Sequence, residues 1–189
     1  MTNYPGGRIY KQPTLPSAPM VVTKRTVGGL KAKKNGQRFE ALIERACSYY
    51  RKTGVAHIQK IPEPMRVVKP IKYEKGMFKA HFEKQAQPDF NGSLKGGKMI
   101  VFEAKHESGK SIKKNRLTIE QVYNFEVYQR LGVMCFILVS FNMKNFYRVP
   151  WDFWINSKHK KKSFSEKELE EFEVDYDGRL LNFLEKKAK

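Results

Sequence analysis

Acidic residues are scarce in this chain. Nineteen Asp and Glu stand against 37 Lys and Arg, a formal net charge of +18 over 189 residues. At the start the shortage is total, since no acid precedes Glu40. Such an imbalance repels itself in the folded state and attracts polyanions; nucleic acid is the first candidate partner and an anionic membrane the second. Cysteine is also scarce, with two residues, which excludes a disulfide framework. Cys47 falls on a helix face and Cys135 in a strand, so both read as core thiols of a reducing compartment, and a cytoplasmic location follows. Long apolar runs are missing too: the longest, residues 133–139, is far short of the ~20 residues that cross a bilayer. No secretory signal opens the sequence. His57 has no histidine or cysteine at ligand spacing and reads as a packed strand residue, while His159 sits among lysines in a basic surface loop. There is no internal repeat and no low-complexity tract.

What is present centres on residues 87–105. Gln-Pro-Asp-Phe-Asn-Gly leads through an apolar run to Lys95-Gly96-Gly97, and a second apolar run ends in Phe-Glu-Ala-Lys. Two apolar runs about a short glycine loop predict a β-hairpin. Folding the chain about Gly96 sets Asp89 opposite Glu103, and directly opposed residues share a face. Glu103 and Lys105, two apart on one strand, share that face as well, while Ala104 points into an apolar layer with Phe102 nearby. Opposed like charges are destabilising unless compensated. A divalent cation, with Lys105 close by, is the natural compensation; the alternative is a charged strand with a surface Glu103–Lys105 pair.

The rest of the chain is arranged about this hairpin. Residues 1–35 hold four prolines, several glycines and the cations Arg8, Lys11, Lys24, Arg25, Lys31, Lys33 and Lys34. Such a segment buries too little to fold alone, and reads as a flexible basic arm that follows a phosphate backbone or as a solubilising tail. Residues 36–51 carry Phe39, Leu42, Ile43, Ala46, Cys47 and Tyr50 at helical spacing. Glu40 and Glu44 flank that stripe, and a helix start attracts acids in any case. Residues 55–61 and 65–69 read as strands. Residues 70–84 interleave Lys72, Lys75 and Lys79 with Tyr73, Phe78 and Phe82, which suits phosphate contact with stacking on exposed bases, or a long hairpin packed on the core. After a basic loop ending at Arg116, Thr118 followed three residues later by Gln121 is a capping box that opens a helix. The continuous apolar run 133–141 reads as a central strand buried on both faces, and residues 144–149 pair beside it. Pro150-Trp-Asp-Phe-Trp154 reads as an aromatic lid, Ser165 to Glu168 as a second capping box, and residues 180–184 as an apolar segment that docks on the core or on a partner subunit. The order of elements gives an α/β fold: a mixed central sheet flanked by helices.

Pro88-Asp89 followed by Glu103-Ala104-Lys105 resembles the PD-(D/E)xK nuclease signature. More narrowly, Asp89-Phe-Asn-Gly92, Phe102-Glu-Ala-Lys105 and the opening Asn-Tyr-Pro-Gly-Gly-Arg are similar to the RecU family of Holliday-junction resolvases. The resemblance implies a restriction-endonuclease-like core over residues 36–189, a projecting stalk at about residues 70–84, and a homodimer. It implies an endonuclease that resolves four-way DNA junctions by metal-dependent phosphodiester hydrolysis in recombination and repair, with Mg²⁺ or Mn²⁺ as cofactor and recombination proteins as possible partners; no membrane is involved. Asp89 and Glu103 would ligate the metal, Lys105 would stabilise transition-state charge, and Gln121 would complete the shell or orient water. A first-helix glutamate, here Glu40, would assist. The family's further threonine ligand is replaced here by Gln87, whose amide oxygen could serve. DNA contact would fall to the basic arm together with Lys72, Lys75 and Lys79. Two other readings stand beside this one: a PD-(D/E)xK nuclease of restriction or repair type, and a non-catalytic protein that bends or bridges DNA. A pure binder, however, has no reason to place two acids in a basic groove.

Overall fold

A computed structural model describes residues 24–72, 75–82, 87–157 and 161–185. Its centre is a five-stranded mixed sheet in the order β1 (Ala56–Lys60), β4 (Phe90–Leu94), β5 (Met99–Glu107), β7 (Met134–Phe141), β8 (Asn145–Pro150). Only β5 and β7 run parallel; the other neighbours are antiparallel. The connection between the parallel pair contains β6 (Ser111–Lys113) and α2 (Ile119–Arg130), as a parallel crossover requires. One face is covered by α1 (Lys24–Lys52) and the other by α2 and α3 (Trp151–Asn156). A mixed sheet between helices is the architecture the sequence predicts.

Two apolar layers hold this sandwich. Under α1, Phe39, Ile43 and Tyr50 pack on Phe90, Phe102 and Phe136. On the far face, Val101, Ile137 and Val139 meet Phe125, Trp151 and Trp154. Strand residues alternate between the layers, so β7 is apolar on both faces, as buried strands are, and so is β5 up to Phe102. Phe90, Phe102 and Phe136 are direct neighbours across three strands and stack with centroids 4.9 and 4.7 Å apart. Burying each ring is worth about 1.5–3 kcal/mol, and a one-residue slip would turn all three to the wrong face. The stack therefore fixes the register one residue away from Asp89 and Glu103. The C-terminal apolar segment docks on its own core: Leu181 and Phe183 are buried in the α1 layer. The residue 150–154 lid is α3, with Trp151 and Trp154 buried.

Two expected boundaries are corrected. α1 begins at Lys24, not at residue 36, so residues 24–35 of the expected flexible arm are helical. Gly28, Gly29 and Gly36 lie inside the helix rather than ending it. The buried face of its second half anchors the element, and propagating a helix from an anchored segment avoids the nucleation penalty. The second expected strand is found, as β2 (Met65–Pro70), but outside the main sheet. β2 pairs only with β3 (Phe78–Phe82), in a separate antiparallel hairpin whose described residues from Met65 onward are all exposed. This hairpin starts at Met65, five residues before the stretch expected to project as a stalk.

Candidate active site

The hairpin register sets the site. Phe90 pairs with Phe102, and the next step outward brings Asp89 to Glu103. The two acids clasp each other's strands: the Asp89 amide donates to Glu103 Oε2 at 3.2 Å, and the Ala104 amide donates to Asp89 Oδ2 at 2.9 Å. At the tip, the chain reverses through Gly96 and Gly97, both at positive φ (91° and 85°), a conformation that costs glycine little. Gly92 has a different task. A Cβ there would lie 2.2 Å from the His57 carbonyl oxygen, so β1 approaches β4 too closely for any side chain.

Glu103 is 1 % exposed. Its Oε1 accepts from Lys105 Nζ and from Gln121 Nε2, each at 2.5 Å. Gln121 is also the capping-box residue: its Oε1 accepts from the Thr118 amide at 3.1 Å and its own amide donates to Thr118 Oγ1 at 3.2 Å. Gln121 thus makes the capping bonds and a bond to Glu103 at once. Its amide orientation follows from them, because a flipped side chain would set oxygen against the carboxylate and NH₂ against the Thr118 N–H.

Burial dominates the electrostatics. It pushes the Glu103 carboxyl up to about 7, with the Asp89 charge adding to the rise and the Lys105 ammonium opposing it. Burial also raises Asp89, opposed by Lys105 and by the Ala104 amide. One cation is thus shared by a buried and a half-buried carboxylate, and burial disfavours the ionised form of both.

Asp89, Lys105 and Glu40 line a cavity of about 800 Å³ at this end of the sheet. Glu40, on α1, is brought to the site, but its Oε2 is held by Lys60 Nζ at 2.6 Å, and that bond raises the Lys60 pKa. Gln87 is exposed and does not line this cavity. Sequence reasoning missed Lys60, Arg116 and His106. The last two share the cavity wall, and Arg116 Nη2 donates to the His106 carbonyl at 3.4 Å. The adjacency of His106 to Lys105 was the available signal; the Glu40–Lys60 pair is a tertiary contact with none. Of the expected DNA-binding cations, Lys31 lines the cavity and Lys33 and Lys34 are exposed on α1. Lys72, Lys75 and Lys79 are exposed on the β2–β3 hairpin. Arg8, Lys11 and Tyr73, and the side chains of Lys24, Arg25 and Phe82, lie outside the described residues.

Two acids and a lysine gathered on β5 and at the start of β4, beside a cavity lined by further cations, have the arrangement expected from the PD-(D/E)xK resemblance. The family model described as RecU, recombination protein U, matches residues 34–186. The chain belongs to the RecU family. The Holliday junction resolvase RecU of Bacillus pumilus (strain SAFR-032) is 29 % identical over 179 residues, covering 90 % of this chain and 85 % of its own. That of Lactococcus lactis subsp. cremoris (strain MG1363) is 32 % identical over 155 residues, covering 75 % and 72 %. Among solved structures, Archaeoglobus fulgidus Hjc, a Holliday junction resolvase from an archaeal hyperthermophile, aligns with a TM-score of 0.45 at 12 % identity, over 71 % of this chain and 91 % of that one.

Proposed function

We propose that this chain is a structure-specific endonuclease that resolves four-way DNA junctions during recombination and repair. The observation that carries the reading is the Asp89–Glu103 pair, with Glu103 buried, opposed across a hairpin and sharing the Lys105 charge, in a chain of the RecU family. The donor set suits a hard divalent cation. Mg²⁺ is commonly held by one or two carboxylates, with water and substrate phosphate completing the shell. Asp89 and Glu103 would supply those oxygens to Mg²⁺ or Mn²⁺. When bound, the cation supplies Lewis-acid activation of water and neutralises charge at the phosphate.

The chain's own residues do the rest. Lys105 stands beside Glu103, where its ammonium can donate to a non-bridging phosphate oxygen as charge develops there. Gln121 acts as a positioning residue, since both ends of its amide are engaged and it fixes the Glu103 carboxylate. Glu40, neutralised by Lys60, stands across the cavity and orients water at its edge. Gln87 has no part in the shell. A junction has two-fold symmetry and needs two cuts, so the active form is a homodimer. Two buried free thiols fit a reducing compartment, and we place the protein in the cytoplasm. Among the described residues, no helix is long and apolar enough to cross a membrane.

A nicking assay on a four-way junction in Mg²⁺ tests the assignment. Asp89→Asn, Glu103→Gln and Lys105→Ala should each lose cleavage, by roughly 10³-fold or more on the scale of lost electrostatic catalysis. Gel shifts in Ca²⁺ should show binding largely intact. Parental turnover in Asp89→Asn would remove the site assignment. Equal cutting of linear duplex by the parent would instead replace the junction reading with that of a general nuclease.

A further inference from the structure

A second cavity, of about 470 Å³, opens at the opposite end of the sheet. It is walled by Tyr49 in the last turns of α1, by Leu94 and Lys95 at the β4–β5 turn, by Met134 at the start of β7, and by Arg148 and Leu184. α1 spans both sites: Glu40 lines the first and Thr53, just past its end, the second, a separation of roughly 20 Å at about 1.5 Å per residue. Arg148 is the unusual member. It sits opposite Leu138 in the β7–β8 ladder, which turns its side chain into the apolar layer under α1. Its Nη1 donates to the carbonyls of Phe183 (3.3 Å) and Leu184 (2.5 Å). Among the described residues it forms no ion pair, and Nε and Nη2 make no hydrogen bond. Burial pulls its pKa down. The guanidinium is thus half-buried, fixed in orientation by two backbone bonds, and not paired with a carboxylate among the described residues.

We propose that this cavity is a docking site for a partner protein, taking a short segment in which a carboxylate lies next to a large apolar side chain. The free edge of the Arg148 guanidinium suits a bidentate carboxylate, with Lys95 at the rim as a second cation. Leu94, Met134 and Leu184 provide the apolar wall that receives the side chain beside it. A nucleic-acid backbone fits less well. Arg148 is half-buried against the apolar wall, where a single carboxylate can reach it but a continuous line of phosphates cannot follow. A guanidinium already immobilised loses little further entropy on binding, which favours affinity. The site would let the protein be held by another component of the DNA-processing machinery while the nuclease end stays free.

The test is fluorescence anisotropy at physiological salt on the full chain, with a short fluorescein-labelled peptide ending in Asp-Asp-Leu-Phe. A control peptide carries Asn for Asp and a C-terminal amide. So basic a protein attracts any acid, so the variants carry the decision. Lys95→Glu should weaken binding about tenfold, whereas the charge-matched Lys144→Glu, on the turn between β7 and β8, should change it less than twofold. Arg148→Gln should abolish binding, and Arg148→Lys, kept as a check that the C-terminal segment still packs, should weaken it at least fivefold with an unchanged circular dichroism spectrum. Junction cleavage should be unaltered in Lys95→Glu. Equal affinity for the control peptide, equal loss in Lys95→Glu and Lys144→Glu, or absence of saturable binding at millimolar protein would overturn the proposal. Displacement of the peptide by duplex DNA in the parent, together with weaker duplex binding in Arg148→Gln, would reassign the cavity to a phosphate backbone.

Discussion

Glu103 and Asp89 face each other at a cost that a cation would remove, and this has a measurable pH signature. Glu103 moves from an ordinary value of 4.5 to about 7 on folding. Without metal, the folded chain holds a proton there that the unfolded chain has released. That contribution to stability is complete below about 4.5 and is lost as pH rises through about 7. Urea midpoints should therefore show Glu103→Gln gaining on the metal-free parent between pH 5 and pH 8, and Mg²⁺ should restore the parent alone by mass action. A gap between the two proteins that is constant across that range would contradict the shift. Gln121 allows a second separation. Thr118→Ala removes one capping bond and should cost about 1 kcal/mol while cleavage stays near the parental rate. Gln121→Ala removes the cap and the Glu103 donor together, and cleavage should fall roughly 10- to 100-fold, as when an orienting partner of a ligand is lost. Equal rates in the two variants would reduce Gln121 to a cap. The acids and Lys105 were legible because strand alternation is periodic and a glycine loop fixes the register. The Gln121–Glu103 bond joins residues 18 apart across two elements; the capping box predicted only its local half.

The same contrast between local pattern and tertiary context governs the elements. β7 was readable as a buried strand from its unbroken apolar run, β5 as the second strand of the glycine-loop hairpin, and α2 from its capping box. α1 was read too short because Asn35 and Gly36 look like a start signal, and each glycine costs a helix about 1 kcal/mol. The second half of α1 is held by Phe39, Ile43 and Tyr50, and that anchoring extends through the breakers back to Lys24. The β2 strand was recognised, but its place was not. Apolar residues predict burial, yet Val67 and Phe78 are more than half exposed. Ladder hydrogen bonds, unlike core packing, need no apolar neighbour. Gly92 shows how a motif glycine serves packing rather than a turn. In Gly92→Ala the methyl would meet the His57 oxygen at 2.2 Å and Ile58 Cα at 2.6 Å, both backbone atoms that no rotamer change can move. β1 must shift from β4, at about 1–3 kcal/mol on the scale of overpacking. Denaturation should show that loss, with faster amide exchange in β1 and β4 beyond the global change; parental stability would mean that the strands have room.

For the whole molecule, a charge of +18 guarantees affinity for DNA but cannot choose its shape. Linear duplex and a four-way junction present the same phosphates, and phosphate contacts carry no such information. A junction adds a central opening with unstacked base faces and converging strands. The β2–β3 hairpin is the element suited to that opening: it stands outside the main sheet, exposes Lys72, Lys75 and Lys79, and shows Phe78 to solvent between them. Base–aromatic stacking is worth about 1–3 kcal/mol per base, enough for a preference of roughly tenfold or more. Replacing residues 66–81 by a tight turn should leave the melting temperature close to that of the parent, because none of the replaced residues that the structure describes is buried. The Mg²⁺-dependent rise in melting temperature should also persist, because Asp89 and Glu103 are untouched. Competition binding in Ca²⁺ should then show junction affinity falling about tenfold more than duplex affinity. The salt dependence of duplex binding should flatten by about 0.9 for each phosphate contact removed. If junction and duplex weaken by the same factor, the hairpin contributes charge alone, and the shape preference must come from another part of the molecule.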